Sequence, residues 1–189
     1  MGIVLASGSP RRRELLSMIG LENFRVVADS SEENVPSGLS PELTVSEIAL
    51  QKAKNVSHFC DDDDIIIAAD TLVYLDGRLL GKPENTADAE SMLGELSGRR
   101  HTVYTGVVLH KGAQTVTDVV KTDVIFREMS DSEISEYVKS GEPMDKAGAY
   151  GAQGRGSVFV ERIEGEFFNV MGMPLCRLSM MLREFGVFV

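Results

Sequence analysis

Apolar positions along this chain fall into two patterns: compact runs, and stripes spaced by three and four residues. The runs predict buried strands and the stripes predict one-sided helices. Ile3 to Leu5 is the first run. Ser7-Gly8-Ser9 turns it into a helix, with Ser9 as N-cap and Pro10 at the first helical position. Phe24 to Ala28 predicts a short strand, followed by a polar loop carrying Glu32 and Glu33. Ser40-Pro41 opens a helix to about Phe59, with Val45, Ile48, Ala49 and Val56 facing inward. Lys52 falls on that stripe; Lys54 does not. Asp61 to Asp64 reads as a solvated turn. Ile65 to Ala69 is a fully apolar strand broken by Asp70, and Thr71 to Leu75 continues in extended pattern. Asp76-Gly77 predicts a hairpin returning through Arg78 to Leu80.

Farther along, Thr86 caps a helix with Ala89, Met92, Leu93 and Leu96 inward, ended by Gly98. His101 to His110 and Thr115 to Arg127 predict longer strands around Lys111-Gly112. Ser130 and Glu133 form a capping box for a helix ending near Gly141. Ser157 to Ile163 and Glu166 to Met171 predict a second hairpin around Glu164-Gly165. Pro174 starts a last helix with Leu175, Leu178, Leu182 and Phe185 on one face. Strands and helices interspersed in this way predict an α/β protein. Since no linker, repeat or low-complexity segment divides residues 1–189, we expect one domain whose lobes share a sheet.

Composition narrows the function classes. Apolar residues make up 43% of the chain and charged residues 25%, as in ordinary globular proteins. A net charge of −10 argues against coating nucleic acid or an anionic membrane. The two cysteines, Cys60 and Cys176, match no metal or redox spacing and read as reduced thiols. Without a signal-peptide pattern or a membrane-length apolar run, a cytoplasmic enzyme or binding protein is expected.

Against this acidic background, Arg11, Arg12 and Arg13 occupy the first turn of the first helix, where the helix dipole disfavours cations. A bound anion accounts for such a cluster, and phosphate is the usual anion at a helix N-terminus; solvated surface arginines are the plainer alternative. Asp70, directly after five apolar strand residues, must be paired, hydrogen-bonded or bound to a cation. It could hold a metal or take a proton from water, or it could simply cap a turn. Lys52 either snorkels at the core edge or reaches a ligand. Glu33 or Glu32 offers a second carboxylate for a metal, or belongs to a solvated loop. Residues 145–156, with Gly148, Gly151, Gly154 and Gly156, let backbone approach a ligand closely or form an irregular surface loop. Within them Gln153 carries both amide functions needed to read the edge of a base. No P-loop, GxSxG, HExxH or strand-linked GxGxxG is present, and the absence of tryptophan disfavours a single-stranded nucleic-acid platform. The residues alone therefore reach an anion site with metal-assisted phosphate chemistry.

Taken together, ASGSPRRRELL at the start, QKAK at 51–54, AADTLV at 68–73, GKP at 81–83, SGRRHTVYTGV at 97–107, EPMDKAGAYGAQGRG at 142–156 and VMGMPL at 170–175 resemble the Maf family of nucleoside triphosphate pyrophosphatases. The resemblance spans nearly the whole chain. It implies an elongated mixed sheet flanked by helices, with two lobes around a deep cleft, similar to the inosine triphosphate pyrophosphatase architecture and commonly homodimeric. It also implies hydrolysis between the α and β phosphates, with Mg2+ or Mn2+ as cofactor. On that resemblance Asp70 is the general base and, with Glu33, the metal carboxylate. Ser7, Arg12, Arg13, Lys52 and Lys82 would hold the triphosphate and stabilise the leaving pyrophosphate. Arg12, Thr71 and Gln153 together resemble the branch acting on dTTP and UTP, and on modified pyrimidine triphosphates. The competing readings are a 7-methyl-GTP pyrophosphatase and a nucleotide-binding regulator of septum formation without turnover.

Overall fold

The computed structural model describes residues 1–28 and 38–189. The chain forms a mixed α/β structure, as the interspersed pattern predicts. In order, its elements are β1 (Ile3–Leu5), α1 (Pro10–Met18), β2 (Phe24–Val26), α2 (Pro41–Ser57), β3 (Ile65–Leu75), β4 (Arg78–Leu80), α3 (Thr86–Leu96), β5 (Arg100–Lys111), β6 (Gln114–Phe126), α4 (Asp131–Lys139), β7 (Val160–Glu164), α5 (Phe167–Val170) and α6 (Leu175–Glu184). Short 3-10 turns at Glu142–Asp145, Ala147–Ala149 and Arg155–Phe159 connect α4 to β7. Among the described residues the strands pair in the order β2-β1-β3-β5-β6-β7, with β4 beside β3. β1 is parallel to both β2 and β3, whereas β4 and β7 run antiparallel to β3 and β6. No helix among these residues is long and apolar enough to cross a membrane.

Residues fall into two compact units, the first comprising 1–70, 105–120 and 172–189, the second 71–104 and 121–171. In the first unit, Ala49, Ala53 and Val56 of α2 pack on Val4 of β1 and Ala6 just after it, Ile66 and Ala68 of β3, and Val108 of β5. The strand members lie two residues apart because alternate side chains share a sheet face. Asp64 at the entry to β3 is buried, not solvated as the four-carboxylate run suggests. It accepts the Gly2 N–H at 2.8 Å and an Arg25 bond at 2.7 Å. The Gly2 bond is the main influence holding this carboxyl below its usual range; burial opposes it and Arg25 adds to it.

The second unit has the larger aromatic core. Phe126, Tyr137, Tyr150 and Phe159 pack with Leu93, Leu96, Val103 and Ile134. Several boundaries differ from the sequence expectations, each for a local reason. β3 does not break at Asp70, because the backbone ladder continues while the carboxylate finds a cation. Asn85, not Thr86, caps α3 by accepting the Asp88 N–H at 3.0 Å. The strand expected from Ser157 begins only at Val160, since Arg155–Phe159 turns to bury Phe159. The strand expected over Glu166 to Met171 is instead the helical turn α5. That turn delivers the buried Asn169 amide to the Val103 carbonyl and the Thr122 hydroxyl, each at 3.1 Å.

His101, only 2% exposed, meets the Tyr150 hydroxyl at 2.8 Å through Nε2, while its Nδ1 has no hydrogen-bond partner among the described residues. The neutral ring that donates from Nε2 suits this site, because a proton on Nδ1 would be a buried donor without an acceptor. Burial lowers the His101 pKa from 6.5 to about 4, with Asp123 opposing it. A histidine depressed on folding contributes stability above its unfolded value, and that contribution is lost as pH falls from 6.5 toward 4. We expect a loss of about 3 kcal/mol across this window, read as a falling urea midpoint. The non-titrating His101→Gln variant should give a flatter profile; an equally steep one would show that other groups carry the effect.

Candidate active site

Ser7 lies two residues after the end of β1, and register pairs Leu5 with Ile67 of the parallel β3. Ser7 therefore lies past the carboxyl end of β1, and Asp70, inside the longer β3, lies just past the stretch that pairs with β1. Both sit at the carboxyl end of this parallel pairing, the edge where parallel sheets of α/β proteins bind ligands. The Ser7 hydroxyl oxygen accepts from the Ser9 N–H and from Arg12 Nη1, both at 3.2 Å. Arg12 Nε donates to the Gly172 carbonyl at 2.8 Å. Ser9 makes no side-chain cap on α1. The turn after β1 is thus organised by Ser7, and one edge of the Arg12 guanidinium is fixed from two directions. Gly172 has a φ of 101°, a left-handed conformation that glycine adopts without strain, and it aims the carbonyl that Arg12 uses. Arg13 is exposed on the same helical turn.

The second feature of this edge is an ion pair. Lys52 Nζ donates to Asp70 Oδ1 at 2.6 Å, with side chains 21% and 12% exposed. Ile66, Ala68 and Asp70 alternate onto the sheet face that α2 covers, and Lys52 flanks the α2 packing positions Ala49, Ala53 and Val56. The long side chain then runs along the core edge to the carboxylate. The stem is partly buried, as snorkelling at the core edge implies, and the ammonium meets the Asp70 carboxylate of the protein itself.

Thr71, Lys82 and Gln153 belong to the second unit. Thr71 is half-buried, and Lys82 and Gln153 are exposed. The Gly81 carbonyl accepts the Gly148 N–H at 3.0 Å, tying the segment that carries Lys82 to the glycine-rich loop. Gly148, at a φ of 68°, also leaves room for Val73, whose side chain lies 3.0 Å from where a Cβ would sit. Glu33, the other expected metal carboxylate, lies outside the described residues, as does Glu32.

Some contributors escape sequence reading. The Gly172 carbonyl acts through backbone, so no side-chain pattern reveals it. Glu142 stands within the resembling segment, but its partners are known only once the loop is folded.

A protein-family model described as Maf-like protein matches residues 2–185. The chain belongs to the Maf family. Two relatives named dTTP/UTP pyrophosphatase, from Bacillus cereus (strain AH820) and Bacillus anthracis, are each 46% identical over 185 residues, covering 98% of this chain and 96% of theirs. A solved HAM1 protein from Coxiella burnetii shares the fold at a TM-score of 0.52 and 16% identity, over 97% of this chain and 99% of that one.

The ion pair depends on how closely α2 approaches the sheet of this Maf protein. At Gly106 of β5, an added Cβ would lie 2.5 Å from the Val45 carbonyl oxygen and 2.9 Å from Ser46 N. Both are helix backbone and cannot rotate away. Gly106→Ala should therefore cost about 1–3 kcal/mol by overpacking, measured by urea unfolding. An unchanged midpoint would show that α2 slides without loss.

Proposed function

We propose that this Maf protein is a cytoplasmic pyrophosphatase that hydrolyses dTTP and UTP to the monophosphate and pyrophosphate. The names of its near-full-length relatives support the reaction and the substrates. The observation that carries a catalytic reading is the 2.6 Å Lys52–Asp70 pair on β3, the strand paired with β1, whose following turn carries Ser7 and Arg12. A site built only to bind phosphate needs cations; it does not need a carboxylate among them. The net charge of −10 further favours free nucleotides over nucleic acid, since the cations are local and the whole surface repels polyanions.

In this reading, water attacks the α phosphorus in line with the bond to the α–β bridging oxygen. Asp70 takes the proton, and the bond's electron pair leaves with pyrophosphate. Arg12, with Nε and Nη1 already engaged, approaches phosphate as a pre-oriented cation. Lys52, Arg13 and Lys82 add positive charge where negative charge accumulates on the leaving group. Lys52 has a second task, holding the Asp70 carboxylate in place before substrate arrives. Gln153 reads the pyrimidine edge, where adjacent donor and acceptor groups match an amide. Thr71 lies next to the base in sequence and helps set substrate choice.

The donor chemistry also fits a divalent cation. Asp70 offers hard carboxylate oxygen, and magnesium is commonly held by one or two carboxylates together with substrate phosphates and water. Asp70 and Glu33 are the residues we assign to it. When bound, Mg2+ or Mn2+ supplies charge neutralisation and a more acidic water.

The test is pyrophosphate release from dTTP, UTP, CTP, 5-methyl-UTP, 7-methyl-GTP and ITP with either metal. Asp70→Asn should lose most turnover while nucleotide affinity stays within about tenfold. Lys52→Ala should lower kcat/KM by about two orders of magnitude, corresponding to about 3 kcal/mol at the transition state. Release confined to 7-methyl-GTP would overturn the substrate assignment. Binding without release by the wild-type protein would replace the enzyme with a nucleotide-binding regulator.

A further inference from the structure

The glycine-rich loop that carries Gln153 wraps around two side chains from the end of α4. Tyr137 lies on α4, which is followed by Ser140 and Gly141, and Glu142 opens the 3-10 turn after them. Glu142 Oε2 accepts the Arg155 N–H at 2.9 Å, and Oε1 accepts the Gly156 N–H at 3.1 Å. The Tyr137 hydroxyl donates to Oε1 at 3.0 Å and accepts the Gly151 N–H at 3.1 Å. One carboxylate and one phenol thus hold three loop amides, two residues before Gln153 and two and three residues after it.

The same pair explains why this loop is glycine-rich. A Cβ on Gly154, at a φ of 102°, would sit 2.9 Å from Glu142 Oε2, and one on Gly156 would sit 2.7 Å from the Tyr137 hydroxyl oxygen. Backbone can close around the pair only where side chains are missing. The acceptor must also be a carboxylate. Three donors converge on its two oxygens, and an amide would turn an NH2 group toward one of them. Burial opposes the charge on Glu142, but the Arg155 and Gly156 N–H groups, the Tyr137 hydroxyl and Lys146 together hold its carboxyl below the usual range. Tyr137 is itself fixed, 4% exposed and with its ring edge-on to Phe159 at 5.2 Å.

We propose that Glu142 and Tyr137 are positioning residues for base selection, which holds Gln153 in register by anchoring the backbone on both sides of it. Neither residue touches the reacting atoms. The assignment rests on the reading of Gln153 as the base-reading residue, so the experiment separates the two.

The readout is the ratio of kcat/KM for UTP to that for CTP in Gln153→Ala, Glu142→Gln, Tyr137→Phe and the Glu142→Gln/Gln153→Ala double variant. Amide hydrogen exchange over residues 151–156 is followed in parallel. Tyr137→Phe keeps the ring against Phe159, so it remains informative if the Glu142 variant folds poorly. We expect each single variant at 137 or 142 to lower the ratio about tenfold, through KM for UTP, with kcat for UTP within about threefold. Exchange over 151–156 should accelerate at least tenfold, and the double variant should be no less selective than Gln153→Ala alone. If Gln153→Ala shifts the ratio and the Glu142 and Tyr137 variants do not, the base reader stands and this proposal falls. Equal losses on UTP and CTP would also overturn it, because they report a merely structural loop. An unchanged ratio in Gln153→Ala sinks the base-reading assignment and the selectivity role with it. Exchange in Glu142→Gln at the wild-type rate would remove the anchoring itself.

Discussion

Helix α2 lies so close to the sheet that no side chain fits between its backbone and β5 at Gly106, and the Lys52–Asp70 pair depends on that closeness. The apolar layer beneath the helix is half alanine, Ala49, Ala53, Ala6 and Ala68, with three valines and Ile66 filling the remainder. Larger side chains there would lift the helix, and the lysine would no longer span the gap to β3. The favourable burial in this layer is modest per residue, so shape complementarity more than area sets the helix height. One backbone constraint therefore reaches from a glycine in a strand to the position of a charged pair on the neighbouring strand.

Charge is handled differently inside and outside. Among the described residues, the buried carboxylates are each matched to donors: Asp64 to Gly2 and Arg25, and Asp70 to Lys52. Leaving either without its partner would carry the large penalty of a desolvated, uncompensated charge. Exposed pairs such as Arg78–Glu95 and Lys139–Glu136 are worth little by comparison, because water and salt screen them. Within an acidic molecule, this sorting concentrates usable positive charge at the turn after β1 and at the lysines expected to meet phosphate. The excess of carboxylates elsewhere does not neutralise those cations, since screening confines exposed charges to about a Debye length, roughly 10 Å at 0.1 M salt.

Much of the fold was legible because the strands and helices of this chain obey their periods. The α2 stripe, the apolar run opening β3, the capping box of α4 and the β5–β6 hairpin all follow directly from residue spacing. Three of the misreadings lie where a buried polar group overrides local pattern. The 166–171 segment looks like a strand, but Asn169 finds its acceptors only when the chain coils into α5. Asp70 looks like a strand breaker, but a carboxylate costs the ladder nothing once Lys52 reaches it. Asp64 looks like its three neighbours, and only the strand-end geometry distinguishes it.

The candidate site was legible to the extent that side chains build it. Three arginines set against a helix dipole and a lysine on an apolar stripe are violations of local rules, and such violations point to function. What sequence spacing could not reveal is the part built from backbone. The Gly172 carbonyl that steadies Arg12 has no side-chain signature, and the amides of Gly151, Arg155 and Gly156 converge only because Glu142 and Tyr137 stand at the end of α4. Four glycines in nine residues signal that backbone will come close to something. For Gly154 and Gly156 that something is the protein's own carboxylate and phenol, so the glycines serve the loop's internal scaffold before they serve any ligand.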